Sequence, residues 1–207
     1  MQLTIALVGM PGSGKSTVGR YLARHLRFRF VDSDSEIERE LGGPIRSYFE
    51  THGEPAFRDI EQRTITRLCQ DSGPVPTSGE ESTSPAGTQG HDPKPSSEGL
   101  VLATGGGSIL RPANREALSR SAVVVYLRSS PEELFRRLRH DGQRPLLQVA
   151  DPLRRLRELY RERDPLYRAT SRYVIETGRP TVHTLVNMIL MQLELAGLVD
   201  GQRTGTR

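Results

Sequence analysis

Apolar positions along the chain follow two rhythms. Short solid runs, LTIALVG from Leu3, FRFVD at 28–32, LVLAT at 100–104, SAVVVYL at 121–127 and RYVIET at 172–177, have the length and β-branched content of buried strands. Between them, apolar residues recur every three or four positions, as in Val18, Leu22 and Leu26, in Ile37 and Leu41, and in Phe57, Ile60, Ile65 and Leu68. That spacing predicts amphipathic helices. Gly42-Gly43 stops one of them, Pro44 starts the short piece IRSYFETHG, and Pro112 and Pro131 each open another helix. The stretch PLRRLRELYRERDPLYRAT at 152–170 is expected to bend or break near Pro165. A last helix, PTVHTLVNMILMQLELAG, closes at Gly197. Five strands alternating with helices predict an α/β protein with a five-stranded parallel sheet and helices on both faces. Ligands gather at the carboxyl ends of the strands in such a sheet.

Composition narrows this to one domain over residues 1–207, with 35% hydrophobic content suited to a globule. Residues 71–98 hold many Pro, Gly and Ser and almost no large apolar side chains, so ordering them would cost entropy with little burial in return. They read as a flexible insertion, and residues 199–207 as a disordered tail. The formal charge of +4 raises the question of nucleic acid. Acidic residues number 25 against 29 basic ones, and aromatics make up only 5%, so no nucleic-acid partner is expected. No apolar run spans a membrane, and MQLTIALVGM has no basic leader, so a cytoplasmic protein without membrane attachment is expected. The lone Cys69 lies in helical ITRLCQ and reads as a packed thiol, and the five scattered histidines indicate no zinc site.

Candidate chemistry begins with GMPGSGKS at 9–16. It fits GxxxxGK[ST], follows a strand and opens a helix. Backbone N–H groups of Gly12, Ser13 and Gly14 would converge on phosphate oxygens at the positive end of the helix. Lys15 would reach the outer phosphates, Ser16 would bind Mg2+, and Thr17 belongs to the same nucleotide site. Lys94 is the only other lysine and lies in DPKP, which gives no guanine-reading Asn/Thr-Lys-x-Asp sequence, so a switch GTPase is not expected. FVDSDSEI places Asp32 and Asp34 at the end of the second strand run, where alternation sends both carboxylates to one side and calls for positive charge between them. A second use of this segment is helix capping by Asp34 or Ser35.

GMPGSGKSTVGRYLA, DSD at 32–34, FRDIE at 57–61, GGG at 105–107, RPLL at 144–147 and RDPLY at 163–167 occur in an order that resembles the shikimate kinase family. That resemblance implies the three-layer P-loop kinase fold, with ATP and Mg2+ and with shikimate as phosphoryl acceptor at its 3-hydroxyl, on the route to chorismate and aromatic amino acids. It implies a monomer with a substrate-binding region at 32–61 and a lid at 139–151. By the same resemblance Asp34 holds the acceptor hydroxyls and takes the proton, and Asp32 orients the metal shell. Arg58 and Arg163 grip the carboxylate, as planar bidentate donors do, and Glu61 steadies Arg58. Gly106 would donate its N–H to a hydroxyl of shikimate, while Ile45, Phe49 and Phe57 would wall the carbocycle. Arg144 is the lid arginine over the transferring phosphoryl group, and Arg179 is assigned to adenine. Arg136, Arg154, Arg155 and Arg157 are left as solvated helix face. A gluconate kinase is the rival reading.

Overall fold

The computed structural model describes residues 3–70, 99–139 and 149–199. Five parallel strands, β1 (Leu3–Val8), β2 (Arg29–Asp32), β3 (Gly99–Ala103), β4 (Val123–Arg128) and β5 (Tyr173–Glu176), lie in the order β2-β3-β1-β4-β5. The three middle strands are buried almost throughout, and the edge strands β2 and β5 are partly exposed. Their apolar runs are solid because helices cover both faces. In β1, Leu3, Ile5 and Leu7 point into one core with Val18 and Leu22 of α1 (Lys15–Leu26) and Leu185 and Ile189 of α7 (Val182–Leu195). Ala6 and Val8 point into the other, with Ile65 and Leu68 of α3 (Ile45–Gln70), Leu118 of α4 (Pro112–Ser121), Leu134 of α5 (Pro131–Leu138) and Leu156 of α6 (Pro152–Thr170). Strand period two thus sorts one run of residues into two cores.

α2 (Ser33–Leu41) begins immediately after β2 and ends at Gly42, as the sequence predicts. Its N-cap is Asp32, whose carboxylate accepts the Asp34 N–H at 3.1 Å. Neither Asp34 nor Ser35 is the cap. Asp34 therefore stands in the first turn of a helix, and strand alternation is not what brings it beside Asp32. The expected division at the end of IRSYFETHG is present inside α3, where Gly53 (φ 79°, ψ 173°) separates two helical pieces. Of the bend or break expected near Pro165, a break is absent: α6 runs continuously through it. Proline removes only one intrahelical hydrogen bond there, and tertiary packing of Leu156, Leu159 and Tyr167 outweighs that loss. Of the tail, Val199 packs against the core and 200–207 lie outside the described residues. The 71–98 insertion is outside them too, as are residues 140–148 of the 139–151 lid. Among the described residues, no helix is long and apolar enough to cross a membrane.

Candidate active site

Between β1 and α1 the chain turns through Gly9–Gly14 at the sheet's carboxyl end. Gly14 caps α1 with φ 93°, a left-handed conformation that suits glycine, and its carbonyl accepts the Val18 N–H at 2.9 Å. The loop forms one wall of a 480 Å³ cleft that is also lined by Lys15, Ser16, Thr17, Asp32, Asp34 and Gly106. Lys15 donates Nζ to the Gly9 and Met10 carbonyls at 2.9 and 3.0 Å, so its ammonium is folded over the loop's mouth. Ser16 Oγ donates to Asp32 Oδ2 at 2.5 Å. Asp32 divides its carboxylate: Oδ1 caps α2, and Oδ2 holds the hydroxyl of α1.

Ser16 and Asp32 suit a hard cation that keeps most of its waters and otherwise takes phosphate oxygens. Their contact sets two oxygen donors side by side at the loop's mouth.

Asp34 is the most perturbed carboxylate of the cleft. Burial, with repulsion from Asp32, Glu61 and Glu38 and only partial relief from Lys15, raises it from 3.8 to about 6. A carboxylate poised there accepts a proton near neutral pH far more readily than an exposed one.

The glycine turn after β3 joins this cleft to a second group of residues. A Cβ on Gly105 would lie 2.5 Å from Asp34 Oδ1 and 3.1 Å from Glu61 Oε1, and one on Gly107 would collide with the Arg58 guanidinium. Side chains from α2 and α3 therefore close on the turn only because it lacks side chains of its own. Arg58 NH1 donates to Glu61 Oε2 at 2.7 Å, while Nε and NH2 reach Glu54 Oε1 at 3.1 and 2.9 Å. The Glu61 side chain is 1% exposed, and burial raises its ionisation while Arg58 opposes the shift. From α6, Arg163 NH1 donates to the Gly106 carbonyl at 3.4 Å. Arg58 and Arg163 thus meet at the turn from opposite elements. They stand beside the cleft and do not line it.

Other expected residues fall elsewhere. Arg179 is exposed in the segment between β5 and α7 and does not line the cleft. Arg144 lies outside the described residues. Ile45, Phe49 and Phe57 pack with Ile37 and Ile60 in a small cluster of α2 and α3, the Phe49 and Phe57 rings 4.6 Å apart, and none lines the cleft. The Phe57 ring also lies under the Arg58 guanidinium, 5.3 Å from its centroid. Arg136, Arg154, Arg155 and Arg157 are exposed, as expected. Thr104 and Arg137 line the cleft although the sequence reading assigned them nothing. Arg137 donates to the Thr177 carbonyl and sits next to buried Leu138. Its place between Leu134 and Leu138 on a helix was the available signal, hidden within a run of arginines.

A phosphate loop after the central strand of a 2-3-1-4-5 parallel sheet, with an acid beside it and two arginines across a glycine turn, defines a P-loop phosphotransferase of the small-acceptor kind. The family model for shikimate kinase matches residues 11–84 and 94–194. A shikimate kinase of Paracidovorax citrulli is 51% identical over 198 residues, 95% of each chain. The structure of shikimate kinase from Acinetobacter baumannii in complex with shikimate superposes with a TM-score of 0.78 at 39% identity, covering 97% of each chain. That of Aquifex aeolicus gives 0.72 at 26% identity, covering 95% of this chain and 99% of its own. The chain belongs to the shikimate kinase family.

Proposed function

We propose that this chain transfers the γ-phosphoryl group of ATP to the 3-hydroxyl of shikimate, giving shikimate 3-phosphate and ADP. The observation that carries the reading is the convergence of Asp34, Arg58 and Arg163 on one glycine turn beside the phosphate loop. Family membership and the shikimate bound to the Acinetobacter relative support it. In this reading the amides of Gly12, Ser13 and Gly14 hold the β- and γ-phosphates, Thr17 adds its polar group, and Lys15 turns from the Gly9 and Met10 carbonyls to the outer phosphates. Ser16 and Asp32 would hold Mg2+, which when bound offsets phosphate charge. Arg58 and Arg163 bind the acceptor carboxylate, and Gly106 donates its N–H to an acceptor hydroxyl. Asp34, hydrogen-bonded to the attacking hydroxyl, receives its proton as the new P–O bond forms. Arg144 closes over the transferring group with the lid, excluding water that would compete as acceptor. Arg179 is proposed only as a contact to adenine.

Work as a monomer in the cytoplasm, without nucleic acid or a membrane, completes the proposal. A coupled assay of ADP formation with shikimate, quinate and gluconate tests it. Turnover with shikimate at least about tenfold above the other acceptors is expected: all three carry a carboxylate, so discrimination falls to the hydroxyls, and a buried polar group left without its partner costs that much or more. Equal or faster turnover with gluconate would sink the reading.

A further inference from the structure

Two buried hydroxyls at the glycine turn have no part in the reaction proposed above. Ser33, 0% exposed, lies between Asp32 and Asp34 and accepts the Gly105 N–H at 3.0 Å. Tyr167, also 0% exposed, donates its hydroxyl to the Gly106 carbonyl at 2.5 Å. That carbonyl is the one that Arg163 reaches at 3.4 Å, and buried Arg163 Nε has no hydrogen-bond partner among the described residues. The Tyr167 ring stacks on Tyr126, centroids 4.8 Å apart. The Tyr126 hydroxyl donates in turn to Asp164, the residue after Arg163, at 2.9 Å. Asp164 also receives Arg128 at 3.1 Å and Arg168 at 2.7 Å. α6 is therefore fixed to β4 at Asp164, the residue after Arg163, and to the glycine turn at Tyr167, one helical turn further on.

We propose that Tyr167, together with Ser33, is a positioning residue for the acceptor site: their hydroxyls fix the Gly105 and Gly106 peptides and keep Arg163 from closing onto the Gly106 carbonyl. The inference rests on the reading of shikimate as acceptor. A carbonyl has two lone pairs, and a buried one left short of donors takes the nearest available. With the tyrosine hydroxyl present, the Gly106 oxygen is satisfied at short range and Arg163 makes only a long bond to it. Without it, Arg163 is the donor already within reach, and its guanidinium is drawn onto protein and away from the acceptor carboxylate. The turn loses its tether at the same moment. Burial raises the Tyr167 ionisation well above the ordinary phenol range, so the hydroxyl remains a donor at any working pH. Ser33 holds the other end: its oxygen keeps the Gly105 N–H from lying buried and unpaired, and it ties the turn to the helix that bears Asp34.

Tyr167→Phe keeps the ring stacking and removes only the hydroxyl. We expect the shikimate KM, and the shikimate Kd by calorimetry, to rise about tenfold, the worth of one well-placed hydrogen bond. The ATP KM should stay within about twofold, since the phosphate loop lies on other elements. In an Arg163→Lys background the same change should add less than about twofold, because the group it acts through is gone. A shikimate Kd unchanged in Tyr167→Phe overturns the proposal, as do effects that multiply in the double variant. Equal rises in both KM values would also overturn it, showing general loosening. Should Tyr167→Phe fail to fold, Ser33→Ala must show the same split between the two KM values, and a parent-like shikimate KM there overturns the proposal. If the parent protein itself neither binds nor phosphorylates shikimate, the acceptor reading is what fails, and this inference falls with it.

Discussion

At the residue scale the decisive quantity is the charge state of Asp34. Its carboxyl is raised from 3.8 to about 6 by burial first, then by Asp32, Glu61 and Glu38. Between those two values the folded protein holds a proton that the unfolded chain has released, so the stability of the nucleotide- and metal-free protein falls as pH rises from about 4 to about 6. Above that window the charged Asp34 continues to destabilise the fold. Asp34→Asn removes this penalty. In EDTA at pH 7 the variant should be more stable than the parent by about 2 kcal/mol, allowing for partial exposure, and its melting temperature should no longer drop across that window. It should also lose at least about 100-fold in kcat while binding ATP normally, because a positioned proton acceptor contributes that much. Normal turnover of the asparagine variant, measured by ADP release, would refute the role of Asp34. The role proposed for Asp34 is held at a cost in stability, and one substitution separates the two.

At the scale of elements, α3 supplies Arg58 and Glu61 one turn apart, a spacing that lets them pair on one helix face. Arg58→Ala leaves Glu61 buried with weaker help from Arg111 and Arg163, and urea unfolding should register a loss of about 2 kcal/mol. Adding Glu61→Gln should restore most of that stability without restoring shikimate affinity. If both recover together, Arg58 is structural only. α5 offers a contrasting case. Ser130 accepts the Glu133 N–H at 3.3 Å and Glu133 accepts the Ser130 N–H at 3.1 Å, a complete capping box. Ser130→Ala should cost about 1 kcal/mol in chemical denaturation. Both KM values should be unchanged, because the cap contacts neither cleft nor glycine turn; a shift in the ATP KM would show that α5 transmits strain through Arg137.

At the scale of the whole molecule, the site is a product of strand order. β3 lies between β2 and β1, so a turn near residue 106 meets an acidic pair from residues 32–34 and a phosphate loop from residues 9–16. Gln70 ends α3 and Gly99 begins β3, and the pairing of Leu3 with Gly99 and of Arg29 with Leu100 fixes where β3 starts. Shortening a connection whose ends are already held changes closure entropy only slightly. Deleting residues 74–96 should therefore leave kcat/KM for shikimate within about twofold of the parent. A loss of tenfold or more would assign the insertion a working role.

Much of this was legible in the chain. Solid apolar runs among helical spacings specified a doubly covered parallel sheet, because a strand buried on both faces has no polar side to show. GMPGSGKS specified the phosphate loop, since its lysine and hydroxyl at fixed spacing have no purpose in a plain turn. Arg58, Asp34 and Gly106 could be named as candidates because the short motifs that hold them resemble those of the shikimate kinase family. Tertiary structure alone decided how Asp32 divides its two oxygens between Ser16 and the start of α2, that α6 passes unbroken through Pro165, and that the Phe49 and Phe57 rings pack on each other. It alone set the Tyr167 hydroxyl against a carbonyl 61 residues away. Such contacts join elements remote in sequence, and no periodicity within a single segment encodes which hydroxyl or ring a distant segment will bring to it.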